Sequence, residues 1–296
     1  LEYSLGKSRK PYLGLENRVQ SMARDINRVL DEIKNAEVPL NEVALRSLSG
    51  INREEQAAFR TVWPQIDVAR RREVIKTLND LADNEVVNDF NVILREALTD
   101  EDAEVQAEAI SGLWEDETPT LVGPLLRSLT TDSSALVRAA AAESLGRFVL
   151  LGELGEIEAS IGFAVQESLL RTFHNTEEDI DVRCRALESL SYSGDNAVQD
   201  LIEAAYKDRD ERLNISAIKG MGRSADPRWQ NIVIRELESP NSEVRLEAAR
   251  AAGELELSDA VHTLGEIAET DPEEEIRSVA ILSLGQIGTR EARRIV

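Results

Sequence analysis

The chain has 296 residues, with 34 Lys and Arg against 56 Asp and Glu, a net charge of -22, and 4% aromatic residues. That acid excess repels phosphate backbones, which argues against nucleic acid as a partner and favours solubility or a basic protein partner. A single cysteine, Cys184, leaves no disulfide framework, and no apolar run approaches the roughly 18 residues that cross a bilayer, so no membrane association and a cytoplasmic location are expected.

Residues 1–21 differ in charge from the rest of the chain, because Lys7, Arg9, Lys10 and Arg18 outweigh Glu2 and Glu16. This stretch is either a vector-derived leader ahead of Met22, a basic arm, or the start of the first helix. From Leu15 to about Ala36, Val19, Met22, Ile26, Val29, Leu30 and Ile33 recur at spacings of three and four, which predicts an amphipathic capping helix. Helices near 40–48 and 53–63 come next, separated by Gly50, a residue suited to a left-handed helix stop. A further pair is predicted over about 68–81 and 87–98, so that 22–101 forms an N-terminal cap with divergent helical repeats.

From Asp102 onwards the chain repeats itself. An apolar anchor, usually followed by Arg, opens an Ala- and Leu-rich helix at Val105, Val137, Val182, Leu213, Val244 and Ile276, at intervals of 32, 45, 31, 31 and 32 residues. The opening helices are predicted at 102–114, 134–150, 180–192, 210–221, 242–255 and 273–287, with partners at 119–130, 163–173, 196–206, 227–237 and 258–269. Gly146, Gly194, Gly222 and Gly285 or Gly288 are read as positive-φ helix stops. Thr118-Pro119, Asp226-Pro227 and Asp271-Pro272 are read as helix starts. One unit buries too little apolar surface to order itself alone, so the units must stack. The long interval holds an insertion near 151–162, either a longer helix or loop at one edge or a binding loop. The last repeat reads as incomplete at Val296; residues beyond it, a closing short helix or a docking end would each account for this.

The runs from Ala135 to Gly146, from Glu243 to Ala249, and from Glu275 to Gly288 resemble HEAT repeats, most closely the short HEAT-like type named after phycobilisome lyases. The resemblance is good over 102–296, extends to 40–101, and is absent over 1–14. It implies an all-α, right-handed α-solenoid of about seven stacked antiparallel helix pairs. HEAT-like arrays serve as scaffolds, chromophore lyases, a diiron hydroxylase and DNA glycosylases, so fold does not choose the function.

The residues argue against catalysis. A diiron hydroxylase uses repeated His-Glu pairs, whereas His174 and His262 are followed by Asn175 and Thr263, so no metal site and no cofactor are expected. A glycosylase would want a basic groove with stacking aromatics, and Trp63, Trp114 and Trp229 are read instead as seam-packing residues. Cys184 reads as a small buried hydrophobe, with adduct formation as the alternative. No phosphate loop or nucleophile elbow is present.

Acids gather just before the anchor helices, at 100–102, 177–179, 208–211 and 271–275, as helix caps or as an acidic ridge for a basic partner. Arg138, Arg183, Arg245 and Arg277 share one register position, pairing with neighbouring loops or forming a stripe. The opening helices should line a concave face. Its candidate partner-contact residues on the first three are Glu108, Arg138, Glu143, Arg183, Arg185 and Glu188. On the next two they are Asn214, Lys219, Glu247 and Arg250. These observations predict a non-enzymatic, bacterial, cytoplasmic protein-interaction scaffold. The alternative is a lyase-like or enzyme-associated protein that holds a chromophore or modifies a partner.

Overall fold

The computed structural model describes residues 26–84 and 87–295, and its contacts divide the chain into one unit ending at Asp100 and a second starting at Glu101. The basic leader 1–21 and the predicted helix start at Leu15 lie outside the described residues. Among the described residues there are seventeen α-helices and no strand.

In the first unit, α1 (Ile26–Lys34) buries Val29, Leu30 and Ile33 of the apolar stripe read from the sequence, Ile26 is half-buried, and Val19 and Met22 lie outside the described residues. It is followed by α2 (Glu42–Arg46) and α3 (Arg53–Val62). Gly50 has φ +59°, the left-handed stop expected of it. A reciprocal box opens α3: Asn52 accepts the N–H groups of Glu54 and Glu55, and the Glu55 carboxylate accepts that of Asn52. The unit closes with α4 (Val68–Asn84) and α5 (Asn91–Ala97). Buried Arg70 of α4 donates to the carbonyls of Ile33 and Val38 at 3.0 and 2.9 Å, satisfying backbone groups at the exit of α1.

The second unit opens with α6 (Ala103–Gly112), α7 (Val122–Thr131), α8 (Ala135–Glu153) and α9 (Ala159–His174). It continues with α10 (Ile180–Leu190), α11 (Asn196–Tyr206), α12 (Glu211–Arg223) and α13 (Gln230–Glu236). It ends with α14 (Ser242–Glu254), α15 (Val261–Thr270), α16 (Glu274–Ile287) and α17 (Ala292–Ile295). The even-numbered helices from α6 to α16 pack side by side in chain order, and each odd-numbered partner from α7 to α15 lies against the opening helix that comes after it. This is an α-solenoid. All six anchors, from Val105 to Ile276, are buried in the layer between the two sets.

The long interval is taken up by helix. α8 has 19 residues and α9 has 16, leaving only residues 154–158 between them. Gly152 and Gly162 face each other across this pair, and a Cβ on either would lie 3.2 Å from the other's Cα, a tight contact that would push the two helices apart by a few tenths of an ångström.

Three readings of local signals are corrected. Gly146, Gly222 and Gly285 lie inside helices, and among the glycines read as stops in the repeats only Gly288 has positive φ. Gly146 and Gly222 are seam residues instead. A Cβ on Gly146 would meet Ser189 of α10, and one on Gly222 would lie 2.8 Å from the Ala251 Cα of α14. The positive φ expected of glycine at the helix exits falls instead on Ala225 and Glu256, each at φ 50°. Finally, Asp271-Pro272 does not start α16, whose N-cap is Glu273; Asp271 is engaged elsewhere.

The acids before the opening helices act largely as caps. Asp102 accepts the N–H of Val105, Asp179 that of Asp181, and Asp210 that of Arg212.

Candidate functional site

After five of the six anchors, the next residue reaches back to a carbonyl at or just beyond the end of the preceding helix. Arg138 Nη1 donates to the Asp132 carbonyl at 2.9 Å, Arg183 Nε to that of Phe173 at 3.0 Å, Arg245 Nη1 to that of Ser239 at 2.9 Å, and Arg277 Nη1 to that of Asp271 at 2.7 Å. Asn214 occupies the same register and donates to the Tyr206 carbonyl. Two of the arginines also reach the turn before the next opening helix, with Arg138 to Glu178 at 2.7 Å and Arg245 to Asp271 at 2.8 Å. Charge-assisted bonds at such spacing hold successive repeats in register. Arg138, Arg183 and Asn214 each take part in these bonds within the array.

The other seven candidates lie two to five residues further along their helices. Glu108, Glu143 and Arg185 share a groove of about 460 Å³ across α6, α8 and α10. Arg185, Glu188, Lys219 and Glu247 share a second stretch of about 230 Å³ across α10, α12 and α14. Arg250 sits beside Glu247 at 3.5 Å and reaches Glu275 of α16 at 3.4 Å.

Glu188 is the hub of this face. Its side chain is only 6% exposed, yet it accepts from Ser216 Oγ at 2.9 Å, Lys219 Nζ at 2.8 Å and Arg185 Nη1 at 2.9 Å, with Arg223 at 3.8 Å. Ser216 is small enough to let the carboxylate lie between α10 and α12. Burial pushes the Glu188 carboxyl up, but Lys219 and Arg185 outweigh it, and the group ends below the usual carboxylate range. Glu188 is thus a buried keystone in the lining of this stretch.

The groove also holds residues that the sequence reading did not select. Toward the C-terminal ends of the opening helices it widens to about 530 Å³, walled by Ile110, Trp114, Leu150, Tyr192, Arg147 and Arg223. Trp63 and Trp229 are buried as expected, with their indole N–H groups donated to Asp100 and Gln199. Trp114 is not: it is 59% exposed. It lies in the turn just beyond the end of α6 at Gly112. It occupies the position held by Gly146, Ser191, Gly222, Gly253 and Gly285 in later units, where a Cβ on Gly222 or Gly253 would lie within 2.8 Å of the next opening helix and one on Gly285 would meet nothing. Arg147 Nη1 donates to the Trp114 carbonyl at 2.7 Å. Comparing that position between repeats would have flagged Trp114 from sequence.

Cys184 is buried, and desolvation pushes its thiol above its ordinary value, away from the reactive thiolate. Among the described residues no group of three or more His, Cys, Asp or Glu is placed to hold a metal ion, and no helix is long and apolar enough to cross a membrane.

Fold and repeats define an α-solenoid protein. Residues 91–160 and 231–296, a little under half of the chain, match the family model of HEAT repeats, and these stretches are HEAT repeats. The complex of CpcE and CpcF of phycocyanin lyase from Nostoc sp. PCC7120 shares the fold at 14% identity and TM-score 0.50, over 100% of this chain and 97% of that one. Human deoxyhypusine hydroxylase is similar at 17% identity and TM-score 0.38, over 93% of this chain and 99% of that one. Importin beta is similar at 12% identity and TM-score 0.43, over 92% of this chain and 41% of that one. No curated protein is similar enough in sequence to match this chain.

Proposed function

We propose that the protein is a non-enzymatic interaction scaffold that binds a partner protein on the face formed by α6, α8, α10, α12 and α14. The observation that carries this reading is the groove itself, which runs across successive opening helices and is lined by acids, bases and exposed aromatic surface. Such a mixture suits specific polar recognition with an apolar anchor. The buried free thiol supports a reducing compartment, the cytoplasm.

The test is affinity capture from host lysate with charge reversals at Glu143 and Glu247, and Glu167→Lys on α9 as a control away from the groove. A defined protein that the groove variants release and the control retains is the expected result. Capture unaffected by the groove variants, or lost equally with the control, would overturn the reading. A second reading, a lyase-like protein that holds a chromophore or modifies a partner, draws on the half-enclosed space between Trp114 and Tyr192. It requires a coloured or small-molecule species to co-purify, and an absorption spectrum of the purified protein decides it.

A further inference from the structure

Charge and apolar surface are sorted along the groove. On the stretch across α6, α8 and α10, the acids Glu104, Glu108, Glu143 and Asp181 face one base, Arg185, which already pairs with Glu188 at 2.9 Å. Glu143 stands 3.8 Å from Arg185 and is 52% exposed; Asp181 stands 3.4 Å from Arg212 and is 68% exposed. Exposed pairs this long contribute little, so both carboxylates are open to a better partner. The chain's net charge of -22 adds long-range attraction for a cationic partner.

The widened stretch is of the other kind. Trp114 and Leu150 are exposed on it, backed by Ile110 and Tyr192. Arg147 and Arg223 border it, with the Arg223 guanidinium 5.3 Å over the Tyr192 ring, so a cation is disfavoured there. The two stretches share Ser111, Ala140 and Glu143, and the first two are small enough to leave a backbone room to pass. Four opening helices at about 8–10 Å spacing span roughly 25–30 Å, the reach of about nine extended residues.

We propose that the groove binds a segment of a partner protein carrying lysine or arginine side chains and one large apolar side chain. The bases lie over Glu143 and Asp181, and the apolar side chain lies against Trp114 and Leu150. The proposal rests on the groove being the partner face, and it supplies the chemistry of what binds there.

The experiment selects displayed random peptides of about twelve residues on the full chain. The best peptide is then titrated by fluorescence anisotropy against wild type, Trp114→Ala, the double variant Glu143→Gln/Asp181→Asn, and Glu167→Lys. Peptides of net positive charge with a recurrent aromatic or leucine residue are expected. Binding should weaken roughly tenfold in Trp114→Ala and in the double variant, fall with salt, and stay unchanged in Glu167→Lys. Trp114 holds Arg147 through its backbone, so the alanine variant keeps its fold, checked by an unchanged circular dichroism spectrum.

Enrichment of acidic peptides, of peptides without an apolar residue, or of none above the naive library overturns the proposal. Full binding in Trp114→Ala with loss in the double variant removes the anchor while leaving the groove as the partner face. Binding indifferent to both but weakened by Glu167→Lys removes the partner face as well.

Discussion

Replacing Gly222 by alanine sets two effects of opposite sign against each other. In an isolated helix, Gly→Ala stabilises by about 1 kcal/mol, through backbone entropy. At Gly222 the new Cβ would lie 2.8 Å from the Ala251 Cα and 3.0 Å from its Cβ. Neither atom belongs to a side chain that can rotate away, so α14 must move off α12. Over-packing of this kind costs about 1–3 kcal/mol, and a contact through backbone belongs at the upper end. The net expectation is a loss of about 1–2 kcal/mol. Gly285→Ala is the matched control, since it also lies within a helix but its Cβ would meet nothing within 4 Å. There the propensity gain stands alone, and stability should rise by about 0.5–1 kcal/mol. Urea unfolding followed by circular dichroism reads both, at matched protein concentration. A Gly222→Ala protein as stable as wild type, or a Gly285→Ala protein less stable, would refute the view that close helix approach, rather than chain termination, selects glycine at the seam.

Glu188→Gln should cost about 2–4 kcal/mol, because Lys219, Arg185 and Arg223 lose the carboxylate that they share, and thermal unfolding checks it. The Glu188 carboxyl is held below its ordinary value, so its contribution is complete above the unfolded value near about 4.3 and is lost as pH falls through the folded one. The variant should therefore lose stability less steeply than wild type as pH falls below about 5. Asp271→Asn keeps an oxygen for the Glu273 N–H but breaks the Arg245 pair at 2.8 Å, and should cost about 1–2 kcal/mol in urea unfolding. Asp271 is depressed by Arg245 in the same sense, so this variant too should show a weaker acid dependence. Cys184 should react with an aromatic disulfide reagent at least about tenfold more slowly in native buffer than in urea, and equal rates would contradict its burial and raised pKa.

Much of the solenoid was legible because the signals are local. The anchors recur with Ala- and Leu-rich runs in register, and the 3.6-residue period places them on one face. The opening helices at 180–190, 242–254 and 274–287 fall within two residues of their sequence prediction. Glycine was misread because its two uses leave the same letter. At Gly50 and Gly288 it permits positive φ, whereas at Gly146 and Gly222 it permits two helices to touch. The opposing residues, Ser189 and Ala251, are 43 and 29 positions away in the chain, outside any local window.

The candidate face divides in the same way. Reading the opening helices as the contact layer brings Glu108, Glu143, Arg185, Glu188, Lys219 and Glu247 to one groove. Which of them are free to bind was beyond the sequence. A charged side chain at a repeat position is a contact, a register clamp or a buried keystone depending on what the next helix sets against it.

The repeat period, the helix content, the acid balance and the layer that carries the groove were determined by the sequence alone, because each depends on residues close together in the chain or on simple sums over it. Only the tertiary structure decided that the Arg138 ladder clamps turns, that Glu188 is buried in the groove lining, and that Trp114 is turned out to solvent. The first two outcomes depend on the size and charge of side chains one repeat away, which meet only when α8, α10 and α12 stack.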